Sequence, residues 1–274
     1  MTTSNNPKLA IIVAGGNGAG KSTFINYQLL PLYEPTGIAY LNADDWQKNT
    51  FGEFDNTTPH QALQAQQWAE NSRKEHIEQG KSFIAETVFS HPSKIELIKE
   101  AKANGFTVDL YHINLDSAET ALERINERVL LGGHDVDADK VRGRYDRLIP
   151  IITEAVKHAD KTYVYDNSVM YRPHELILEL EKGKIIEIHA ELPEWCKQAY
   201  KAHLDQFYDT LKQQLTPVQE KAFTAFQDHI SKVFKDHPDQ LAEKLDALNA
   251  KLPDIVSNKY ELPEPEKKDK GRDR

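Results

Sequence analysis

Short apolar runs alternate with longer amphipathic stretches over residues 8–192. This alternation is typical of strand–helix units that assemble into a parallel sheet flanked by helices. The pattern therefore predicts an α/β domain. The predicted strands lie at residues 9–14, 38–41, 82–85, 108–115, 162–165, 175–180 and 184–189. Lys182-Gly183 separates the last two, which are typical of a hairpin or of edge strands.

Apolar positions spaced three and four residues apart predict helices between these strands. Gly80 and Gly105 follow two of these stretches, and glycine is the usual residue just beyond a helix end. Gly132-Gly133 interrupts a third stretch. The predicted helices cover residues 21–30, 59–79, 92–104, 118–131 and 139–159.

The strand pattern stops at Pro193, and three amphipathic stripes follow it. Pro217 and Pro238 stand where the second and third helices are expected to begin. We therefore predict an α/β domain over residues 1–192 and a helical C-terminal unit over residues 193–260. The charged, proline-containing residues 261–274 are expected to be a disordered tail.

Composition limits the compartment and the kinds of partner expected for this protein. The chain has 274 residues, a formal net charge of −9 and one cysteine, Cys196, so no internal disulfide can form. No apolar run approaches the ~18 residues that a membrane span requires, and the polar residues 1–8 do not resemble a signal peptide. An acidic chain repels polyphosphate backbones. We expect a cytoplasmic protein that binds neither membranes nor nucleic acid.

The strongest motif follows the first predicted strand. Residues 15–22 match G-x-x-x-x-G-K-[ST], in which backbone N–H groups surround phosphate oxygens at the start of a helix. Lys21 is expected to reach the β- and γ-phosphates of ATP, and the Ser22 hydroxyl to ligate Mg²⁺. The residues expected to bind the nucleotide are Gly15, Gly16, Asn17, Gly18, Ala19, Gly20, Lys21, Ser22 and Thr23.

Acidic residues follow the next two predicted strands. Ligands of open α/β sheets bind at the carboxyl ends of the strands, so Asp44 or Asp45 is expected to face the nucleotide. A carboxylate there can accept the proton of an attacking hydroxyl, although aspartate is equally common in a helix cap or a solvated turn. Glu86 is expected to contact the metal or the acceptor, or else to be a solvated residue at a strand end.

Arginines cluster around the Gly132-Gly133-His134 break. They are Arg124, Arg128, Arg142, Arg144 and Arg147. Phosphoryl transfer concentrates negative charge on the transferred group, and a hinged, arginine-bearing segment can neutralise that charge. The alternative is a set of ordinary surface arginines that pair with nearby carboxylates. We favour a lid that closes on the substrate.

In their order along the chain, these motifs resemble the zeta toxin family of P-loop kinases, and in particular its chromosomal zeta-like branch. The matching pieces are residues 15–22, 42–44, 86–87 with Ser90, 128–136, 144–145 and 165–168. The phosphate-loop motif is generic, whereas the Gly-Gly-His segment followed by Arg144-Tyr145 and Asp166-Asn167-Ser168 is much more particular. The founding toxins have no clear Gly-Gly-His at this point.

The resemblance implies a kinase that phosphorylates a sugar hydroxyl of UDP-N-acetylglucosamine. It implies that Asp44 is the base, with Asp45 as the neighbouring alternative, and that Glu86 binds the acceptor or orients the metal shell. Arg128 and Arg144 would stabilise the transferred phosphate. The family also implies a small helical antitoxin as a partner.

Other functions fit the same motifs. A phosphotransferase that inactivates an antibiotic would share the phosphate loop and the lid. A nucleotide-dependent switch without kinase activity would not need the acidic residues Asp44 and Glu86. The helical C-terminal unit lies outside the resemblance, and two roles stay open for it: an inhibitory restraint in cis, or a scaffold or oligomer contact.

Overall fold

The computed structural model describes residues 7–52, 58–133 and 135–262. It divides into two compact units, residues 1–201 and residues 202–274. His134, which the lid hypothesis includes, and residues 263–274 of the charged tail lie outside the described residues.

One sheet organises the first unit. In the described part of the chain its seven strands follow the order β2-β3-β1-β4-β5-β6-β7. Strands β1 to β5 pair in parallel, and β6 and β7 add two antiparallel strands at one edge. The strands are β1 (Leu9–Ala14), β2 (Ala39–Leu41), β3 (Phe83–Thr87), β4 (Thr107–Asn114), β5 (Lys161–Asp166), β6 (Glu175–Glu181) and β7 (Lys184–Ile188). The α/β fold class and the C-terminal hairpin predicted from the pattern are confirmed, and the sheet is mixed.

Strand β1 lies at the centre of this sheet, between β3 and β4. Residues Ala10 to Ala14 are buried, as expected for a parallel strand covered on both faces by helices. The carboxyl ends of β1, β2, β3 and β4 therefore meet at one edge. Loops at that edge are the usual place for a ligand in this class of sheet.

The helices of the first unit are α1 (Lys21–Phe24), α2 (Leu30–Tyr33), α3 (Ala43–Phe51), α4 (Pro59–Glu78), α5 (Ser93–Ala103), α6 (Ala118–Leu130), α7 (Ala138–Ala155) and α8 (Glu194–Ala199). A π-helical turn, Ile25–Leu29, separates α1 from α2 within the single helix predicted there. Helix α4 begins with a capping box between Thr58 and Gln61, which fixes its start. Helix α3 was not predicted, because its only buried residue is Gln47 and it carries no apolar stripe.

The first unit extends beyond the boundary expected at Leu192. Trp195 and Cys196 of α8 are buried, and so is Tyr200. The Trp195 indole N–H donates to Asp166 at the end of β5 (2.8 Å). His112 of β4 forms a hydrogen bond between its Nδ1 and the Tyr200 hydroxyl (2.8 Å). These contacts hold α8 to the sheet, so the division between the units falls after Lys201.

The second unit is helical, with α9 (Lys201–Lys212) starting at the boundary, followed by α10 (Pro217–Val233), α11 (Pro238–Asn249) and α12 (Leu252–Val256). Phe223, Leu248, Leu252 and Ile255 form its buried core. The first predicted stripe, which starts at Trp195, is divided between α8 and α9. The third predicted stripe, Leu241, Leu245, Leu248 and Leu252, is divided between α11 and α12. No helix in the described ranges is long and apolar enough to cross a membrane.

Candidate active site

The phosphate loop connects β1 to α1 at the carboxyl edge of the sheet. Gly20 has a φ angle of 89°, in the left-handed region that favours glycine. A Cβ atom added there would lie 2.5 Å from the Asn167 side-chain nitrogen. The Phe24 N–H donates to the Gly20 carbonyl (2.9 Å), so the loop leads directly into the first helical turn. The predicted strand–loop–helix context of the motif is confirmed.

Three side chains from elsewhere in the chain support this loop. The Asn167 amide donates to the Ala19 carbonyl (2.9 Å), and a His174 ring nitrogen lies 3.2 Å from the Gly20 carbonyl. Arg124 in turn donates to the Asn167 carbonyl. Asn167, part of the Asp166-Asn167-Ser168 segment on which the family resemblance partly rests, thus braces the phosphate loop.

Lys21, Ser22 and Glu86 meet in front of the loop. The Ser22 hydroxyl lies 3.1 Å and 3.0 Å from the two carboxylate oxygens of Glu86, to which it donates. Lys21 Nζ donates to the Gly16 carbonyl (3.0 Å) and lies 3.7 Å from Glu86 Oε1. Burial lowers the pKa of Lys21, while the charges of Glu86 and Asp44 oppose that shift. Glu86 was expected just after a strand, but it is the penultimate residue of β3, whose end extends to Thr87.

Two further residues hold Glu86 in place, and neither was predicted as a site residue on its own. The Tyr40 hydroxyl donates to Glu86 Oε2 (2.7 Å), and the Asn42 amide donates to the Tyr40 oxygen (2.7 Å) and to Glu86 Oε2 (3.3 Å). Burial and the negative charge of Glu86 raise the pKa of Tyr40, which stays a neutral donor. The sequence offered one signal for these two residues, namely their position at the end of a predicted strand. In the structure this strand is β2, which lies beside β3.

Asp44 and Asp45 lie in the first turn of α3 rather than in a loop. The Asn42 side-chain oxygen caps this helix by accepting from the N–H groups of Asp44 (2.8 Å) and Asp45 (3.4 Å). Asp44 lines the cleft in front of the phosphate loop, whereas Asp45 is not among the residues that line it. Burial, followed by the charges of Glu86 and Asp44, raises the pKa of Asp45.

Four of the five arginines around the glycine break divide into two groups. Arg124, Arg128 and Arg144 line the cleft. Arg144 donates to the Asn17 side chain of the phosphate loop (3.1 Å). The positive charge of Arg128 contributes to lowering the pKa of Lys21. Arg142 instead pairs with Glu119 (3.0 Å) and Asp139 (3.7 Å), both exposed, so it is a surface arginine.

The segment after α6 packs directly on Arg128. The Gly133 N–H donates to the Arg128 carbonyl (2.9 Å). A Cβ atom at Gly133 would lie 2.5 Å from Arg128 Cγ and 2.9 Å from the Arg128 carbonyl oxygen, so only glycine fits this approach. The glycine pair therefore ends α6 and keeps Arg128 oriented.

The site occupies an open cleft of about 1010 Å³. One side consists of the phosphate loop and the arginines of α6 and α7. A face of α4 and the start of α5 also contribute, through Glu70, Arg73 and Lys94 among others. Lys94 Nζ lies 3.4 Å from Glu70 Oε1. None of these three residues was predicted, because nothing in the local sequence distinguishes them from an ordinary charged helix surface.

The residues in front of the loop fit a magnesium–nucleotide complex. Mg²⁺ prefers hard oxygen ligands and is usually bound by one or two protein groups together with substrate phosphates. The Ser22 hydroxyl and the Glu86 carboxylate are such oxygens and face each other. The backbone of the loop, Lys21 and the N-terminus of α1 offer positive charge to the phosphates.

The chain has a mixed sheet whose central strand β1 pairs in parallel with both neighbours, a phosphate loop that leads into α1, and a carboxylate on the adjacent strand. These features define the class of P-loop NTPase folds. The chain belongs to the zeta toxin family, whose family model matches residues 1–172. The resemblance drawn from the motifs is thereby confirmed.

A relative from another organism shares part of this sequence. A protein of Haemophilus influenzae, described as uncharacterized, is 42% identical over 72 residues. These residues make up 26% of this chain and 49% of that protein, so the match spans about half of the relative's length.

Solved structures show the same fold. A chain of the AvrRxo1-ORF1:AvrRxo1-ORF2 structure with sulphate ions has a TM-score of 0.54 at 14% identity, over 76% of this chain and 72% of that one. The AvrRxo1-ORF1:-ORF2 structure with ATP has a TM-score of 0.51 at 13% identity, over 95% and 82% of the two chains.

Proposed function

We propose that this protein is an ATP-dependent kinase that transfers the γ-phosphate to a hydroxyl group of a small molecule. One observation carries the proposal: Lys21, Ser22 and Glu86 meet in front of the phosphate loop, in the same cleft as Asp44 and two arginines of α6 and α7. Phosphoryl transfer requires this combination of phosphate binding, proton acceptance and charge neutralisation.

ATP binding is assigned to the phosphate loop, residues 15–23. Lys21 would contact the β- and γ-phosphates, and Ser22 would ligate Mg²⁺ with Glu86 beside it. A bound Mg²⁺ supplies positive charge to the phosphate oxygens. The structure of AvrRxo1-ORF1:-ORF2 with ATP, which shares this fold, is consistent with nucleotide use.

Asp44 is the proposed general base. Its place in the first turn of α3, in the wall of the cleft, suits a carboxylate that accepts the proton of an acceptor hydroxyl. Successive residues of an α-helix are rotated by about 100° around its axis, so the side chains of Asp44 and Asp45 leave α3 in different directions. The lining of the cleft favours Asp44.

Arg128 and Arg144 are the proposed partners of the transferred phosphate. Both line the cleft, one from α6 and the other from α7. Cations held near the phosphate loop stabilise the negative charge that develops during transfer. Arg142, which pairs with surface carboxylates, is assigned no catalytic role.

A nucleotide sugar such as UDP-N-acetylglucosamine is the proposed acceptor, and its sugar hydroxyl the proposed target. Membership of the zeta toxin family supports this identity. The same membership supports a protein partner that acts as an antitoxin. In line with this, the two solved structures described above are of one complex, that of AvrRxo1-ORF1 with AvrRxo1-ORF2.

The function is tested by incubating the protein with Mg²⁺, γ-labelled ATP and a panel of UDP-sugars, amino sugars and aminoglycosides. We expect label in a UDP-sugar, and none with Lys21→Ala, which removes the charge-assisted phosphate contact. Transfer to an aminoglycoside alone would identify an antibiotic-modifying enzyme. Tight ATP binding without transfer to any acceptor would indicate a nucleotide-dependent switch.

A further inference from the structure

Two carbonyl groups of the phosphate loop are held by side chains from the segment between β5 and β6. The Asn167 amide donates to the Ala19 carbonyl (2.9 Å), and His174 Nε2 lies 3.2 Å from the Gly20 carbonyl oxygen. These side chains stand 148 and 154 positions after the residues that they contact. The conformation of the loop therefore depends on a distant part of the chain as well as on its own glycines.

The Ala19 carbonyl lies just outside the first helical turn. Gly20 is the N-cap of α1, and its carbonyl accepts the first helical hydrogen bond, from the Phe24 N–H (2.9 Å). The Ala19 carbonyl precedes these helical bonds, so its donor has to come from outside the helix. Asn167 supplies that donor from a buried position.

His174 meets the Gly20 carbonyl as a neutral ring. Burial lowers the pKa of His174, and the contact with Gly20 only partly offsets that shift. Because a carbonyl oxygen can only accept, Nε2 carries the ring proton and donates it to this contact. The ring also packs edge-on against Phe24, with the ring centroids 5.3 Å apart, which fixes its direction.

Gly20 allows both side chains to come this close to the loop. A Cβ atom at Gly20 would lie 2.5 Å from the Asn167 side-chain nitrogen and 3.0 Å from His174 Nε2. Even a methyl group there would displace the Asn167 amide from its carbonyl. The glycine and the two donors therefore belong to one arrangement.

Asn167 is itself fixed at both of its backbone groups. Its N–H donates to the Asn114 carbonyl at the end of β4 (2.9 Å), and its carbonyl accepts from Arg124 of α6. A side chain whose main chain is anchored in this way holds its own partner in a defined position. The sheet and α6 thus determine where the Asn167 amide points.

The planar peptide bond converts these contacts into an orientation of N–H groups. In a trans peptide the C=O and the following N–H lie in one plane and point in opposite directions. A donor on the Ala19 carbonyl therefore turns the Gly20 N–H to the opposite side, and a donor on the Gly20 carbonyl does the same for the Lys21 N–H. In a phosphate loop, such N–H groups face the phosphate oxygens.

We propose that Asn167 and His174 are positioning residues for the phosphate loop. They hold the N–H groups of Gly20 and Lys21 towards the phosphates of the nucleotide, and they act through the backbone. Amides that are oriented before binding need no reorganisation when the anion arrives, so both residues raise nucleotide affinity. The proposal rests on nucleotide binding, which is part of the proposed function, but not on transfer to any acceptor.

The proposal is tested by calorimetry on the full chain, titrated with β,γ-imido-ATP in the presence of Mg²⁺. His174→Leu removes the donor, whereas His174→Gln places an amide N–H at about the position of Nε2. We expect His174→Leu to weaken binding roughly tenfold or more, the size of effect expected for hydrogen bonds to charged groups. His174→Gln should stay within a few-fold of wild type. Asn167→Leu keeps the branched shape without the donor and should weaken binding as His174→Leu does.

His76→Leu and Asn104→Leu are the matched controls. His76 Nδ1 lies 2.7 Å from the Ser72 carbonyl oxygen, and Asn104 donates to the Glu100 carbonyl (2.9 Å). Both side chains therefore contact backbone carbonyls, but neither is among the residues that line the cleft. Both controls should bind the nucleotide like wild type. Thermal unfolding without nucleotide checks every fold, and if Asn167→Leu does not fold, the two His174 variants decide.

The outcomes separate this proposal from the proposed function. If folded His174→Leu and Asn167→Leu bind like wild type, or if His174→Gln loses as much affinity as His174→Leu, the positioning role is wrong. A wild-type protein that binds no nucleotide would overturn the proposed function and this inference together. Binding that depends on both residues, in a protein that phosphorylates no acceptor, would support the positioning role and contradict the kinase.

Discussion

Glu86 is the residue at which most of the site contacts converge. It accepts hydrogen bonds from Ser22, Tyr40 and Asn42 and forms an ion pair with Lys21. Several donors on one carboxylate hold its orientation more firmly than a single contact would. The end of β3 thus presents a fixed, negatively charged group to the phosphate loop.

The adjacent aspartates Asp44 and Asp45 allow a matched test of the base. Asp44→Asn keeps the shape of the side chain and removes its ability to accept a proton. We expect turnover to fall by ~10²-fold or more while ATP affinity is retained, in line with the usual size of general-base effects. Steady-state kinetics and calorimetry measure the two quantities.

Asp45→Asn is the control, because it changes the same chemical group one residue away in the same helical turn. It should leave turnover within a few-fold of wild type. If Asp45→Asn causes the loss and Asp44→Asn does not, the base has been assigned to the wrong neighbour.

Helices α6 and α7 act as elements that deliver arginines to the cleft. Replacing Arg128 or Arg144 with glutamine should lower kcat more than it raises the KM for ATP, since the charge that they meet develops mainly during transfer. Arg142→Gln is the control, because Arg142 lies two residues from Arg144 and pairs with surface carboxylates. If either variant changes only the KM for ATP, that arginine contributes to binding ATP before transfer and not to stabilising the transition state.

Strand β4 and the end of α8 are joined by a buried pair, His112 and Tyr200. Burial lowers the pKa of His112 to about 3 from 6.5. Between these two values the unfolded chain binds a proton at this residue and the folded chain does not. The free energy of unfolding should therefore fall as the pH drops from 6.5 towards 3.

His112→Asn removes this contribution. The variant should lose up to one proton of linkage, about 1.4 kcal/mol per pH unit, from the pH dependence of its unfolding free energy. Urea denaturation at several pH values measures the slope. His60→Asn, at an exposed position of α4, is the control. Equal slopes in wild type and His112→Asn would show that His112 is not kept neutral by the fold.

The whole molecule consists of two compact units with separate cores, which makes truncation informative. A chain that ends at Lys201 retains the sheet, the phosphate loop and the contacts of α8. We expect it to stay folded and to bind ATP with the affinity of the full chain. Circular dichroism and calorimetry test this expectation.

Turnover and host growth then distinguish the two roles that stay open for the helical unit. Higher turnover and stronger growth inhibition by the truncated chain would support a restraint in cis. Equal values would make residues 202–262 a scaffold or an oligomer contact. Failure of the truncated chain to fold would contradict the independence of the first unit.

At each scale, local patterns account for what the sequence predicted. The strands of the first unit and the phosphate loop were predicted because apolar runs and the glycine-lysine-serine motif are contiguous in the chain. Helix α3 was not predicted because it has no apolar stripe. Its cap, Asn42, is a local signal, but a cap without a stripe does not indicate a helix. The first C-terminal stripe was assigned to one helix because periodicity alone does not reveal the break at Tyr200.

The sequence by itself determined the α/β class, the phosphate loop and the family, since each depends on neighbouring residues or on their order. Only the tertiary structure decided which distant side chains meet. It brought Tyr40 and Asn42 to Glu86, Asn167 to Ala19, and Arg73 near Lys94. The physical reason is that these contacts depend on sheet order and helix packing, which place residues far apart in sequence side by side and leave no trace in local periodicity.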